Sequence, residues 1–267
     1  MQTVHQPTIA MVTGATGAIG QAIARQLAEK GLHVTLIARN EAKARQTADR
    51  IIHQTGNPHV RVELVDLSRQ AEILALARRW EGPLHVLVNN AATAPRTRQE
   101  TPEGIEMQFA VNVLSYLGMT LAFAGILKQS APARVVNVAS YWAGDLDLSD
   151  LEFKRRPYRN GTAYRQSKQA NRMLTVALAE RFQNDGITVN ACHPGDVNST
   201  LSNSLGFGGS QSPDEGARTP VWLATGPIGG QVTGKYFEHL RQTPCRFATD
   251  REAIEALYQV CLGYLTI

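Results

Sequence analysis

Short runs of β-branched and aliphatic residues recur along this 267-residue chain, and nearly every pair of them is separated by enough residues for a helix. They are Thr8–Thr13, His33–Ala38, Val60–Val65, Leu84–Val88, Arg134–Ala139 and Ile187–Cys192, with a shorter seventh at Gly234–Phe237. Short β-branched runs alternating with helical stretches indicate a parallel sheet covered on both faces. Parallel strands need a long crossover, usually a helix, and that crossover is right-handed. The chain is therefore expected to form one α/β domain over 1–267, a doubly wound (Rossmann-type) parallel sheet of about seven strands with helices on both faces. Helices are expected at Gln21–Lys30, stopped by Gly31, and over Thr101–Leu127 and Thr162–Asn184. No repeat or low-complexity segment interrupts the pattern. Ser202–Ser212 is rich in Gly and Ser and reads as a mobile loop after the sixth strand, on the ligand side of the sheet.

Such a sheet binds ligands at the carboxyl ends of its strands. The first strand runs into Thr13-Gly14-Ala15-Thr16-Gly17-Ala18-Ile19-Gly20 and then a helix. Small residues there let backbone approach a pyrophosphate, and the helix N-terminus favours its charge. Gly14, Thr16, Gly17, Ala18, Ile19 and Gly20 are accordingly candidate cofactor contacts. The second strand ends in Ala38, Arg39 and Asn40, where an NAD site usually has a carboxylate for the ribose 2′-hydroxyl. No acid repels a 2′-phosphate at this point and Arg39 can clamp one, so NADP(H) is favoured over NAD(H). The cofactor half is expected to span about 8–140, and the catalytic and substrate-loop half about 141–267.

Tyr164 and Lys168 are four residues apart, on one face of a helix. At an effective dielectric of about 20, a unit charge about 5 Å away is worth on the order of 3 kcal/mol, which would lower a phenol pKa by about 2 units. A phenol so placed can give and take a proton.

Composition narrows the alternatives. Hydrophobic residues are 43% and charged residues 19%, an ordinary balance for a globular protein with a full core. The net charge is +4, but its densest run, Lys154-Arg155-Arg156, is too short for a nucleic-acid stripe and reads as a solvated loop. The three cysteines, Cys192, Cys245 and Cys261, form no metal-type pair, and no His, Asp or Glu cluster has ligand spacing, so no metal is expected. An odd, scattered cysteine set suggests a reducing, cytoplasmic setting. Met1–Pro7 show no leader pattern, and no apolar run is long enough to span a membrane.

Asp66-Leu67-Ser68, Asn89-Asn90-Ala91-Ala92, Val138-Ala139-Ser140 and His193-Pro194-Gly195-Asp196-Val197 fall at further strand ends. With the glycine turn and the Tyr164/Lys168 pair, the chain resembles the short-chain dehydrogenase/reductase family over nearly its whole length. Its Ser167-Lys168-Gln169-Ala170-Asn171, Glu215-Gly216-Ala217 and Gly234-Lys235-Tyr236-Phe237 segments resemble the retinol-dehydrogenase-like branch. One departure is Ala18 at a position where the family's short form has glycine, with Gly17 as an extra glycine.

The resemblance implies that Tyr164 is the general acid/base, that Lys168 lowers its pKa and bonds the nicotinamide ribose, and that Ser140 stabilises the substrate oxygen. It implies that Asn112 holds a proton-relay water. Asp66 and Leu67 would line the adenine, Asn90 and Ala91 the ribose, and Pro194, Gly195 and Val197 the nicotinamide, with His193 a packing residue. The expected activity is NADP(H)-dependent hydride transfer between the nicotinamide and a small to medium, largely apolar carbonyl compound or alcohol. The alternative is a catalytically silent NADP(H) sensor or scaffold. Trp142, Leu146, Leu205 and Phe207 are candidates for an apolar substrate lining, and pairing through the helices that hold Asn112 and Tyr164 would give a homo-oligomer.

Overall fold

The computed structural model describes residues 7–265; of the stretch Met1–Pro7, read as lacking a leader, all but Pro7 lies outside them. The strands are β1 (Ile9–Thr13), β2 (His33–Ala38), β3 (Val60–Leu64), β4 (Val86–Asn89), β5 (Ala133–Val138), β6 (Ile187–Cys192), β7 (Tyr236–Glu238) and β8 (Arg241–Thr243). The helices are α1 (Ala18–Glu29), α2 (Glu41–Thr55), α3 (Gln70–Arg79), α4 (Ser115–Ala122), α5 (Ala124–Gln129), α6 (Asn160–Arg181), α7 (Thr200–Ser204), α8 (Pro213–Thr225), α9 (Pro227–Gln231) and α10 (Arg251–Leu262).

One eight-stranded sheet has the order β3-β2-β1-β4-β5-β6-β7-β8. The first seven strands pair in parallel, and β7 and β8 pair antiparallel. Winding reverses between β1 and β4, and a ligand crevice opens at the strand ends there. Buried side chains pack on both faces. Ile23, Leu27, Leu36 and Val221 belong to one cluster, and Leu87, Leu117, Phe123, Leu174 and Leu257 to the other. α10 lies along α6, where the Arg181 guanidinium stacks on Tyr258 at 3.6 Å and bonds Glu255. It therefore occupies in cis part of one of the helices through which pairing was expected.

Three expectations need correction. The sheet has eight strands rather than about seven: Arg241-Gln242-Thr243 carries no apolar pattern, and it pairs because a two-residue turn folds it back on β7. Both turn residues, His239 (φ 48°) and Leu240 (φ 62°), are left-handed, which costs of order 1–3 kcal/mol each.

Thr101–Leu127 is not one helix. Gly104 (φ 79°) turns the chain, and Glu106 then accepts the backbone N–H groups of Gln108 (2.9 Å) and Phe109 (2.7 Å). A π-helical stretch, Phe109–Leu114, follows before α4. Such stretches are frequent at functional sites. Finally, the Gly/Ser-rich loop contains most of α7, which a reciprocal Ser199/Ser202 capping box starts.

Candidate active site

The glycine turn is shaped by close backbone approach. Gly14 (φ 62°) lies against Ala91, where an added Cβ would sit 2.7 Å from Cα. A Cβ at Gly20 would sit 2.3 Å from the Gly14 carbonyl oxygen and 2.8 Å from Asn90 Nδ2. Asn90 Nδ2 in turn donates to Thr13 O (3.0 Å), and Thr13 Oγ1 accepts the N–H groups of Asn90 (2.8 Å) and Ala91 (3.1 Å). Gly17 differs from both. A Cβ there would meet only Gly14 O at 3.4 Å, so it faces open space at the mouth of α1. No side chain caps that twelve-residue helix, and the N–H groups of its first turn point at that space. Thr16 accepts from Gln21 Nε2 through its carbonyl (2.9 Å), while Ala18 and Ile19 form the first turn itself.

The remaining expected contacts ring the same crevice. Arg39 is exposed at the end of β2. Asn40 caps α2, its Oδ1 accepting Lys43 N–H at 2.9 Å. Asp66 Oδ1 accepts from Ser68, and Leu67 is buried beside it. Pro194 and Gly195 (φ 103°) leave β6, and Val197 pairs with Gln211 in a one-residue bridge. A free helix N-terminus, an open ledge at Gly17 and an exposed guanidinium fit a phosphorylated dinucleotide.

Ser140, Tyr164 and Lys168 meet at the end of β5, and all three are buried. Ser140 Oγ accepts Trp142 N–H at 3.1 Å. Burial pushes the Tyr164 phenol up to about 12, against a smaller downward pull from its hydrogen bond with Ser140. Lys168 Nζ donates to Val138 O at 3.0 Å, and Tyr116 Oη donates to the same carbonyl at 3.2 Å. Burial pushes the Lys168 amine down to about 7. Spacing alone predicts a phenol lowered by the ammonium. In the structure desolvation wins, because each group is enclosed and the lysine itself is pushed down to about 7.

Asn112 sits in the π-helical stretch. Its Oδ1 accepts Thr93 N–H (2.8 Å), and its Nδ2 donates to Thr93 O (3.0 Å) and Ser167 Oγ (3.2 Å). The side chain thus ties the loop after β4 to the turn of α6 just before Lys168, and its contacts are with those groups rather than with the lysine.

Two buried residues of the site escaped the sequence reading. Tyr116 lies under Lys168, its ring centroid 5.4 Å from Nζ. Arg172 bonds the Ser140 carbonyl and the Tyr236 hydroxyl and stacks on Tyr236 at 3.5 Å. Tyr164, Lys168 and Arg172 share one four-residue rhythm along α6, a signal that extending the pair by one turn would have caught.

An aromatic wall stands beside Tyr164. The Trp142 ring centroid is 6.0 Å from that of Tyr164, and Phe207 meets Trp142 edge-on at 5.3 Å. Leu146 packs against the core instead. The basic run is internally answered: Lys154 pairs with Glu152, and the backbone N–H groups of Lys154, Arg155 and Arg156 all donate to Asp150. Among the described residues no helix is long and apolar enough to cross a membrane, and no cluster of His, Cys, Asp or Glu could hold a metal.

Comparison with known proteins agrees with this architecture. Residues 8–206 match the family model described as short chain dehydrogenase. The chain is 36% identical to retinol dehydrogenase 13 of Mus musculus, over 93% of this chain and 80% of that protein. A crystal structure of an uncharacterized protein from Mycobacterium paratuberculosis superposes with a TM-score of 0.79 at 26% identity, covering 97% of this chain and 95% of the other. An actinorhodin polyketide ketoreductase variant solved with NADPH gives 0.69 at 27% identity, over 87% of this chain and 95% of that one. The chain belongs to the short-chain dehydrogenase family, in its retinol-dehydrogenase-like branch, and is an oxidoreductase acting on CH–OH groups with a nicotinamide cofactor.

Proposed function

We propose that the protein is an NADP(H)-dependent carbonyl reductase or alcohol dehydrogenase in which Tyr164 is the general acid/base. The observation that carries this reading is the joint burial of Ser140, Tyr164 and Lys168 at the end of β5, with Lys168 Nζ 5.5 Å from the centre of the Tyr164 ring. The bound nicotinamide supplies or accepts the hydride. In reduction Tyr164 holds its proton at Oη, ready for a carbonyl oxygen, and a phenol kept high by burial is in that donor form throughout the neutral range. Ser140 Oγ donates to the same oxygen and stabilises its growing negative charge. Lys168, when protonated, offsets charge left on the phenolate. Asn112 positions the site by fixing the loop after β4 against α6.

Arg39 is the basis for NADP(H) over NAD(H), because a guanidinium forks onto a 2′-phosphate and no carboxylate competes at that strand end. Trp142 and Phe207 favour an apolar body on the substrate. Fluorescence titration with NADPH and NADH, followed by turnover of a carbonyl panel with the tighter one, tests this. Tighter NADPH binding and reduction of aryl ketones are expected. Equal affinity would remove the role given to Arg39, and tight binding without turnover would favour a silent sensor.

A further inference from the structure

Tyr141 and Trp142 follow Ser140, and their rings part. Trp142 turns to Tyr164 and Phe207, whereas Tyr141 meets the His193 ring edge-on at 4.7 Å. Beyond Tyr141 lies a cavity of about 300 Å³ that the hydride-transfer machinery does not use. Its walls come from four separate segments: Tyr141 after β5, His193 and Asp196 after β6, Gln211 before α8, and Glu238 with His239 at the β7–β8 turn. Two of these residues adjoin residues already placed at the reaction, since Tyr141 follows Ser140 and His193 precedes Pro194.

The cavity wall is acidic. Asp196 and Glu238 bring two carboxylates to it. The loop is anchored through the Asp196 backbone carbonyl, which takes the N–H groups of Ser210 (2.8 Å) and Gln211 (2.9 Å), and the carboxylate plays no part in those bonds. Behind the wall, Gln211 Oε1 and His193 Nδ1 are closed off from the cavity and have no hydrogen-bond partner among the described residues. Burial, with His239 and Arg172 nearby, pushes His193 down to about 3, so the imidazole is neutral. A buried cation behind the wall, Arg172, is 3.9 Å from Glu238 and is also bonded to Ser140 O and Tyr236. The left-handed pair His239-Leu240 holds His239 at the rim, a strained geometry of the kind that clusters at ligand sites.

We propose that this cavity is a second substrate subsite, taking a hydrogen-bond donor (a hydroxyl or a protonated amine) carried on the far end of the compound whose carbonyl meets Tyr164 and Ser140. The substrate class is then bifunctional: a carbonyl and, past Tyr141, a donor-bearing end at Asp196 and Glu238. A carboxylate end is disfavoured, because two carboxylates face it. This rests on the reductase reading above.

The test compares 4-phenylbutan-2-one with its para-aminomethyl, para-hydroxymethyl and para-carboxy derivatives, using the full chain with NADPH. In wild type, kcat/KM for the aminomethyl ketone should exceed that for the parent by at least about tenfold, the value of one charge-assisted hydrogen bond, with the hydroxymethyl ketone between them and the carboxy ketone lowest. The aminomethyl-to-parent ratio should fall toward one in Asp196→Asn and in Glu238→Gln, mostly through KM. The ratio within each variant is the readout because Glu238 also accepts the Tyr236 hydroxyl. A wild-type ratio of one or below, preference for the carboxy ketone, or ratios unmoved by both substitutions overturns the subsite while the reductase reading stands. Failure to reduce even the parent ketone overturns the reductase reading and the subsite together.

Discussion

Alanine substitutions at Gly20 and Gly17 separate folding from cofactor binding within one turn. At Gly20 the new methyl would lie 2.3 Å from Gly14 O and 2.8 Å from Asn90 Nδ2. Backbone on one side and a hydrogen-bonded amide on the other leave no flexible end to yield. Overpacking of this kind costs about 1–3 kcal/mol, and displacing the Asn90 bond to Thr13 adds about 1 kcal/mol. Replacing a helical glycine returns about 1 kcal/mol of propensity. The net loss is about 1–3 kcal/mol, or roughly 2–10 °C in Tm for a chain of this size. At Gly17 (φ −81°) the methyl meets only Gly14 O at 3.4 Å, so the fold should keep its Tm within about 2 °C. That methyl occupies the ledge at the mouth of α1, where it should cost NADPH about one charge-assisted hydrogen bond, roughly 10–100-fold in Kd. Thermal melts of ligand-free protein and NADPH fluorescence titrations read the two effects. Gly20→Ala melting with wild type, or Gly17→Ala binding NADPH as tightly as wild type, would refute the steric account of the turn.

Three further outcomes follow from the site. Arg39→Ala should weaken NADPH roughly 10–100-fold and leave NADH within about twofold, measured by the same titration. Lys168 titrates at about 7 in the fold and near 10.4 unfolded, so the folded chain binds fewer protons between those values. Its contribution to ligand-free stability therefore rises with pH across that window and is lost as pH falls toward 7. Between pH 7 and 9 the gain is of order 2 kcal/mol, and urea melts of Lys168→Met should lack it. Glu106 acts in the opposite sense: burial raises it to about 7, so its contribution is full below about 4.5 and is lost as pH rises through 7. Urea melts should show that loss in wild type and not in Glu106→Gln.

The parts of this fold legible in the sequence were those where one local signal decides. β1, β2 and β4 to β6 are short, mainly apolar runs that admit little but a buried strand, β3 is an alternating edge strand, and Gly14 to Gly20 punctuate the first of them. β8 was not legible, because Arg241-Gln242-Thr243 is a strand only through its pairing with β7. The π-helical stretch was hidden for a similar reason. Phe109–Leu114 is apolar apart from Asn112 and suits any helical period, and what sets it is the Glu106 cap and the Thr93 contact. Spacing placed Tyr164 and Lys168 on one face but could not show both enclosed, and enclosure reverses the direction in which the ligand-free phenol shifts. The cavity walled by Asp196 and Glu238 joins residues nearly a hundred positions apart, Tyr141 to His239, which no local pattern connects.

The central claim is that the Tyr164 phenol moves the proton. It is tested most directly by single-turnover reduction of an aryl ketone by preformed NADPH complexes of wild type and Tyr164→Phe. The substitution removes one oxygen from a buried ring and leaves the packing on Trp142 in place. The account predicts NADPH affinity within a few-fold of wild type and a hydride-transfer rate lower by about 10²–10⁴. An unchanged rate with NADPH fully bound would contradict it.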